Sequence, residues 1–202
     1  TLASVLVIFF DDIKSLILSL ASKKTQIFIM YILIGTLLAV GIGLGFKDLN
    51  FSVFENVTAV GCALIFTGVV LLGSSLANRQ DKEHSFLTCI LIGCAQAMAI
   101  IPGVSRSGMT ISAALFLGLS AKEAARFSFL LAIPAIGGAG LLTALDVSGG
   151  FQMPIPVALA GLTSSFAVGV VALKWLLGWL EQGKFHYFGI YCLVVGLITL
   201  VV

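Results

Sequence analysis

Long apolar blocks alternate with short polar segments along this chain, and several blocks reach the roughly 20 residues that a helix needs to cross a bilayer. The pattern predicts spanning helices at residues 26–46, 57–76, 125–145, 155–180 and 187–202, of which the last is slightly short. Pro134 and the glycine pair that follows it fall inside the third of these blocks, where we expect a kink.

The first apolar block, residues 2–10, is only half a span long and stops at Asp11 and Asp12. We expect it to be the end of a spanning helix that begins before Thr1, since it lacks the basic start and cleavage-site pattern of a signal peptide. Apolar positions at helical spacing follow the two aspartates and predict a short interfacial helix. These positions are Ile13, Leu16, Ile17 and Leu20.

Residues 86–119 are also apolar, but this block is longer than one span and is interrupted at its centre. The interruption, residues 102–110, reads Pro-Gly-Val-Ser-Arg-Ser-Gly-Met-Thr. Each arm is shorter than a span, so the pattern predicts a re-entrant hairpin of two half-helices, joined near mid-membrane by a non-helical turn over 102–110. Irregular backbone at that depth is tolerated only where it is buried in protein or lines a cavity. The sequence Ser-Ala-Lys-Glu at 120–123 then predicts a capping box for the next helix.

The basic residues favour this topology. If residues 86–119 are re-entrant, every lysine and arginine except Lys47 and Arg106 falls on one face, which the positive-inside rule makes cytoplasmic. Three spans before the hairpin and three after it then run in opposite senses. This predicts a single transmembrane domain, residues 1–202, built as an inverted-topology repeat. The first repeat covers 1–77, the second has its hairpin at 86–119 and its three spans at 120–202, and symmetry predicts another hairpin ahead of the first repeat.

Composition agrees with an all-α polytopic membrane protein. Hydrophobic residues make up 59% of the chain, charged residues 10%, and the mean hydropathy is +1.16, whereas a soluble domain carries about 25% charged residues. A net charge of +2 without a basic cluster argues against a nucleic-acid partner. The cysteines lie in apolar segments without metal-ligand spacing, and we interpret them as buried or lipid-facing: Cys62, Cys89, Cys94 and Cys192.

The interrupted block holds the candidate chemistry. A charge at membrane depth costs about 2.5–3.5 kcal/mol on insertion scales, so we expect Arg106 to have a function rather than only to satisfy backbone carbonyls. A guanidinium can grip two phosphate oxygens, and a glycine- and hydroxyl-rich turn before a helix suits a phosphate. Ser105 is either a nucleophile or a phosphate ligand, and no base lies near it in the sequence. Ser107 is a phosphate donor or the N-cap of the second half-helix, and the Thr110 hydroxyl is expected to face a bound anion.

Supporting roles are expected around these side chains. Gly103 and Gly108 permit the turn and a close approach of backbone. Gln96 either contacts the site or bonds a neighbouring helix, whereas His84 and His186 fall in connections and are interpreted as solvated. No carboxylate pair lies near the motif to hold the divalent cation that pyrophosphate chemistry normally uses. Together these residues predict a membrane protein that handles a phosphorylated lipid.

Residues 93–110 closely resemble the second signature of the bacterial undecaprenyl-pyrophosphate phosphatases, also called the bacitracin-resistance protein family. Phe-Ser-Phe-Leu-Leu-Ala-Ile-Pro at 127–134 resembles the segment that follows in that family, and the resemblance runs along the whole chain. It implies an inverted-repeat fold with two re-entrant hairpins in the bacterial cytoplasmic (inner) membrane, with an active site open to the outer face. It also implies hydrolysis of undecaprenyl pyrophosphate to undecaprenyl phosphate and inorganic phosphate, which recycles the lipid carrier for peptidoglycan synthesis.

The family's catalytic Ser, Arg and Thr correspond to Ser105, Arg106 and Thr110. The resemblance further implies a divalent cation (Mg or Ca), contact with membrane lipid, competition for the substrate by bacitracin, and compatibility with a homodimer. The family's first signature, two glutamates and a Ser-Ser-Thr-Gly-His run, has no match in this chain, so we expect its acid–base and metal groups to lie elsewhere and residues 1–202 alone to be inactive. A transporter of a phosphorylated lipid or small anion is the alternative, because inverted repeats also suit transporters. The candidates for substrate contact are Gln96, Gly103, Ser107 and Gly108.

Overall fold

The computed structural model of the protein describes residues 1–45, 56–77, 81–146 and 154–201, and all regular structure in these ranges is helical. The α-helices within them are α1 (Leu2–Ile8), α2 (Phe10–Leu18), α3 (Lys23–Gly45), α4 (Val57–Gly73), α5 (Phe86–Met98), α6 (Arg106–Phe116), α7 (Ala121–Asp146), α8 (Ile155–Glu181) and α9 (Tyr187–Val201). A 3₁₀ turn, Ser74–Leu76, extends α4.

Four of these helices, α3, α4 with its extension, α7 and α8, are long and apolar enough to cross a membrane. They coincide with the predicted spans at 26–46, 57–76, 125–145 and 155–180, while α9 is shorter. The prediction of an all-α polytopic membrane protein is confirmed at this level. The short helix expected after the two aspartates is found as part of α2, which begins just before them, and α7 continues through Pro134.

α5 and α6 pack against each other as a hairpin of two short helices. The backbone amide of Lys82 donates to the Gly118 carbonyl at 3.1 Å, so the chain enters and leaves the hairpin at neighbouring points. The connecting turn is shorter than expected. We predicted non-helical backbone over 102–110, but α6 begins at Arg106, because Ser105 caps the helix and allows it to start there.

The start of α7 shows a second difference from expectation. Ser120 Oγ accepts the Glu123 amide at 3.4 Å, so one half of the predicted capping box is present. The reciprocal bond, from the Ser120 amide to the Glu123 carboxylate, is not formed within the described residues. The carboxylate is held by His84 and Arg126 instead. The stronger charged partners therefore take the carboxylate away from the helix end.

A cluster of charged groups joins α2, α7 and the entry to the hairpin. Arg126 Nε lies 2.8 Å from Asp12 Oδ1, an ion pair without a well-aligned hydrogen bond. Glu123 Oε2 lies 3.3 Å from His84 Nε2, and the His84 ring packs on Phe127 with centroids 4.8 Å apart. The expectation of a solvated His84 is wrong, since its side chain is only 14% exposed. A carboxylate from a distant helix draws this imidazole into the protein.

α4 and α9 meet through facing glycines. A Cβ on Gly61 would lie 3.1 Å from the Gly196 carbonyl oxygen, and one on Gly68 would lie 2.8 Å from the Gly189 oxygen. The pairs ascend along one helix and descend along the other, so the two helices are antiparallel. Missing side chains let two backbones approach closely, which is how membrane helices commonly associate when lipid provides no hydrophobic drive.

The best-buried side chains of the described residues lie where the hairpin meets α7. Some large apolar residues of α5, α6, α7 and the connection between α6 and α7 have almost no exposed surface, whereas α8 presents most of its apolar side chains outward. One face of the hairpin is therefore buried in the protein, and α8 is a peripheral helix. The almost fully enclosed residues are Ile92, Ile111, Leu115, Leu119, Phe127 and Leu131.

Candidate functional site

α5 is followed by a tighter helical turn, which begins the connection to α6. The amides of Ala99, Ile100 and Ile101 each donate to the carbonyl three residues earlier, at 3.1 to 3.2 Å. Pro102 then has no amide to continue the helix, and Gly103 adopts φ +91°, a conformation that side chains with a Cβ rarely take. The sequence therefore ends α5 and reverses the chain within a few residues.

Gly103 also lies directly on α4. A Cβ at this position would lie 2.5 Å from the Val60 carbonyl oxygen and 3.0 Å from the Ala63 Cβ. The turn thus rests on the first two helical turns of α4, close enough that only glycine fits. The close backbone approach expected for Gly103 is present, and the neighbour it approaches is a helix of the first half of the chain.

Ser105 begins α6 as its N-cap. Its Oγ accepts the Gly108 amide at 3.1 Å, and a Cβ on Gly108 would lie only 2.9 Å from that oxygen. Of the two roles weighed for Ser107, the N-cap is taken by Ser105, because the chain becomes helical two residues earlier. The Ser105 hydroxyl keeps its own proton free to donate, while the Ser107 side chain is not committed to the cap.

Arg106 and Ser107 line a cavity of about 190 Å³. Within the described part of the chain, the Arg106 guanidinium has no hydrogen-bonded or ion-paired acceptor, and the amides of Arg106 and Ser107 are likewise without one. The amides of Gly108 and Met109 are occupied by Ser105. The donors left for an anion are therefore a guanidinium and the first two amides of α6. The cavity is lined by Thr1, Val5, Arg106, Ser107, Ser128, Phe129, Ala132 and Ile136.

Thr110 does not reach this cavity. It is 1% exposed, and its hydroxyl donates to the Arg106 carbonyl at 2.9 Å while also contacting the Ser128 hydroxyl. The role predicted for Thr110 at a bound anion stays a prediction; in this structure its hydroxyl is directed to a carbonyl of its own helix. Ser128, which bonds Thr110 and lines the cavity, is the hydroxyl from α7 that the sequence argument had not singled out.

Gln96, in α5, is 4% exposed and does not line the cavity. Neither its amide oxygen nor its amide nitrogen has a hydrogen-bond partner among the described residues. The structure therefore shows neither of the two roles weighed for Gln96, which were contact with the site and a hydrogen bond to a neighbouring helix. Ser112, on the facing helix of the hairpin, is another buried polar side chain without a hydrogen-bond partner among the described residues.

The turn has a further partner that the sequence argument missed. Thr67, from α4, is fully buried, and its Oγ1 accepts the Ser105 amide at 3.2 Å. The same hydroxyl lies 2.9 Å from the Ala63 carbonyl oxygen and 3.2 Å from that of Gly103. The only signal in the sequence was a hydroxyl inside an otherwise apolar span, and threonine in helices often bonds its own backbone.

The described residues do not fit a divalent cation at this site. The cavity beside Arg106 offers hydroxyls and apolar groups but no carboxylate or imidazole. No group of three or more His, Cys, Asp or Glu in the described ranges is placed to hold a metal ion. Mg²⁺ and Ca²⁺ are bound mainly by carboxylate and carbonyl oxygens, so these side chains supply positive charge and hydrogen-bond donors rather than a cation cage.

Comparison with known proteins identifies the family. The model of the family described as "Bacitracin resistance protein BacA" matches residues 1–198. A protein named undecaprenyl-diphosphatase from Methanothermobacter thermautotrophicus is 41% identical over 175 residues, which is 84% of this chain and 97% of that protein. Proteins of the same name from Rhodopirellula baltica (39% identical, 98% of this chain, 78% of the relative) and Halothermothrix orenii (37%, 100% and 79%) match along nearly all of it. The resemblance noted in the arginine turn thus extends through the helices that hold it, and the chain belongs to the BacA family.

Proposed function

We propose that this protein hydrolyses undecaprenyl diphosphate to undecaprenyl phosphate and inorganic phosphate, and so recycles a lipid carrier for peptidoglycan synthesis. The observation that carries the proposal is the unpaired Arg106 guanidinium beside free helix N-terminal amides, in a membrane protein whose relatives are named undecaprenyl-diphosphatase. Such a donor set suits a diphosphate. The transport alternative finds no support in these relatives and is set aside.

Arg106 and the two free amides bind the diphosphate and stabilise the charge that grows on its oxygens during the reaction. Ser105 acts as a phosphate ligand that donates its free proton, since no base among the described residues is hydrogen-bonded to it. The attacking oxygen comes from water. It forms a bond to the terminal phosphorus, the bond from that phosphorus to the bridging oxygen breaks, and undecaprenyl phosphate leaves with the bridging oxygen.

A divalent cation, Mg or Ca, belongs to the proposal through the family resemblance alone. When bound, such an ion would neutralise phosphate charge. The residues around Arg106 do not fit it, so no step is assigned to it here. We assign its ligands, and the acid–base groups, to the family's first signature, as the resemblance implies.

We further propose that the α5–α6 hairpin is re-entrant and that the helices form an inverted-topology repeat. The hydrogen bond from Lys82 to Gly118 supports a hairpin that returns to the side it entered. The packing of the spanning helices supports the repeat, because exchanging the two halves exchanges equivalent helix contacts. The first helix of one half contacts the second of the other in both directions, as α1 with α8 and α7 with α3, and the third helices, α4 and α9, contact each other.

The remaining assignments concern the cell. We place the protein in the bacterial inner membrane with the site open to the outer face, as the family resemblance implies, and the charge bias puts the basic residues toward the cytoplasm. Bacitracin then competes by binding the substrate, membrane lipid surrounds the apolar helices, and association into a homodimer is compatible with this arrangement.

Phosphate release from undecaprenyl diphosphate by the purified full-length protein tests the proposed activity. We expect release that depends on a divalent cation, falls when bacitracin is added, and stops on chelation. Undecaprenyl phosphate and inorganic phosphate should appear in equal amounts. Release of inorganic diphosphate in place of phosphate, or binding of the lipid without turnover under all cation conditions, would contradict the proposal.

A further inference from the structure

We propose that Thr67 is a positioning residue for the diphosphate site, whose hydroxyl sets the backbone of the turn before Arg106. This inference rests on the proposed function, and it concerns a residue on a different helix from the arginine motif. It starts from an unusual hydrogen-bond pattern. Threonine in a helix can bond the carbonyl one turn back, whereas this hydroxyl also bonds two backbone groups of another segment.

A threonine hydroxyl has one proton to donate and lone pairs with which to accept. At Thr67 the proton faces the carbonyl oxygens of Ala63, at 2.9 Å, and Gly103, at 3.2 Å, while the oxygen accepts the Ser105 amide at 3.2 Å. One side-chain oxygen thereby contacts both the Gly103 carbonyl and the Ser105 amide, the two ends of this three-residue segment. Thr67 is fully buried, so water cannot take over these bonds when the hydroxyl is removed.

The position of Ser105 determines the direction in which α6 presents its donors. Ser105 is the N-cap, and the free amides of Arg106 and Ser107 follow it immediately. A shift of the Ser105 backbone therefore moves the amides and the guanidinium relative to the phosphate. Misplacement by about 1 Å can reduce a rate about 100-fold, so a bond distant from the reacting atoms can still control turnover.

α4 is suited to act as the fixed reference for this turn. On one face it contacts the turn through Val60, Ala63 and Thr67, which recur at helical spacing. On another face it is packed closely against α9 through Gly61 and Gly68. α9 thus holds α4 on one face, while the Thr67 hydroxyl holds the turn on another. A residue of the first half of the chain therefore positions the site of the second half.

The chain offers a matched control. Thr36 is a second buried threonine in a spanning helix, and its hydroxyl bonds only the Ile32 carbonyl of its own helix, at 2.8 Å. Thr36→Val therefore removes a hydroxyl from the same kind of environment without touching the turn. Thr67→Ser and Thr67→Ala form the decisive pair, because both lose the methyl group and only the serine keeps the hydroxyl. Thr67→Val keeps the shape and loses the hydroxyl.

The experiment measures phosphate release from undecaprenyl diphosphate by the full-length variants, with monodispersity in detergent as the folding check. We expect kcat to fall about 10- to 100-fold in Thr67→Val and Thr67→Ala, with KM changed less than about threefold because contacts to the lipid tail remain. Thr67→Ser should recover most of kcat, and Thr36→Val should behave as wild type. Equal losses in the serine and alanine variants, or a wild-type kcat in Thr67→Val, would overturn the proposal.

Hydrogen exchange of the turn supplies a second measurement that needs no turnover. The Ser105 amide should exchange about tenfold faster or more in Thr67→Ala than in wild type, and remain protected in Thr67→Ser and Thr36→Val. If wild type itself releases no phosphate, the proposed activity fails, while the exchange result still decides whether Thr67 holds the turn. Unfolding of both hydroxyl-free variants would also overturn the inference, since the hydroxyl would then maintain the fold and not the site.

Discussion

Gly103→Ala tests the positioning of the arginine turn most directly, because the structure sets the size of the disturbance. The new Cβ would lie 2.5 Å from the Val60 carbonyl oxygen, about 0.9 Å closer than the 3.4 Å at which ordinary contact begins. Val60 contributes a backbone atom of α4 and cannot turn aside as a flexible side chain could. The turn must therefore move away from α4 by an appreciable part of that distance.

Two terms add to the cost of this substitution. The backbone of Gly103 has φ +91°, and a left-handed conformation costs a residue with a Cβ about 1–2 kcal/mol. Forcing a methyl group into a closely packed contact costs about 1–3 kcal/mol more. We expect the unfolding free energy to fall by about 2–5 kcal/mol where the turn stays in place, and by less where it moves. Movement instead appears as a loss of activity, of about 10- to 100-fold in kcat for a displacement near 1 Å.

The assay compares phosphate release and thermal unfolding in detergent for Gly103→Ala and Gly41→Ala. Gly41 lies in α3 with no atom within 4 Å of an added Cβ, so its alanine variant should keep full activity. That variant should be unchanged in stability or more stable by up to about 1 kcal/mol, because glycine is the weaker helix former. Wild-type kinetics together with wild-type stability in Gly103→Ala would refute the reasoning from the turn geometry.

Three further outcomes are expected. Arg106→Lys keeps the charge but loses the bidentate donor, so kcat/KM for phosphate release should fall about 10- to 100-fold, the equivalent of about 1.4–3 kcal/mol. A variant with wild-type kcat/KM would show that Arg106 is structural. Ser128→Ala removes a buried partner of Thr110 and should lower the unfolding free energy by about 1–2 kcal/mol, while a stability equal to wild type would mean that this hydroxyl pair contributes nothing. Gly68→Ala places a methyl group 2.8 Å from a carbonyl oxygen of α9 and should lower the free energy of thermal or denaturant unfolding by about 1–3 kcal/mol. Gly161→Ala, with open space around it, should not lower it, and equal stabilities of the two variants would contradict the glycine contact.

The membrane class, most of the spans and the place of the arginine turn followed from the sequence. The length of an apolar block and the cost of burying a charge in lipid are local properties, and they act on each segment regardless of its neighbours. For this reason α3, α4, α7 and α8 fall where the apolar pattern predicted, and unpaired donors of the described residues are found at Arg106, the charge that interrupts the block 86–119. The close resemblance of residues 93–110 to a family signature added the chemistry.

The tertiary structure decided which polar groups are occupied and which remain free. Ser105 rather than Ser107 caps α6, and Thr110 spends its proton on its own helix, although all three are hydroxyls in one short motif. Thr67, 38 residues before Ser105, holds the turn, and His84 is buried against an acid 39 residues away. These outcomes depend on which helices come to lie side by side. A hydroxyl or an imidazole has the same bonding capacity in any environment, and only its neighbours in the folded chain determine whether water, backbone or a ligand satisfies it.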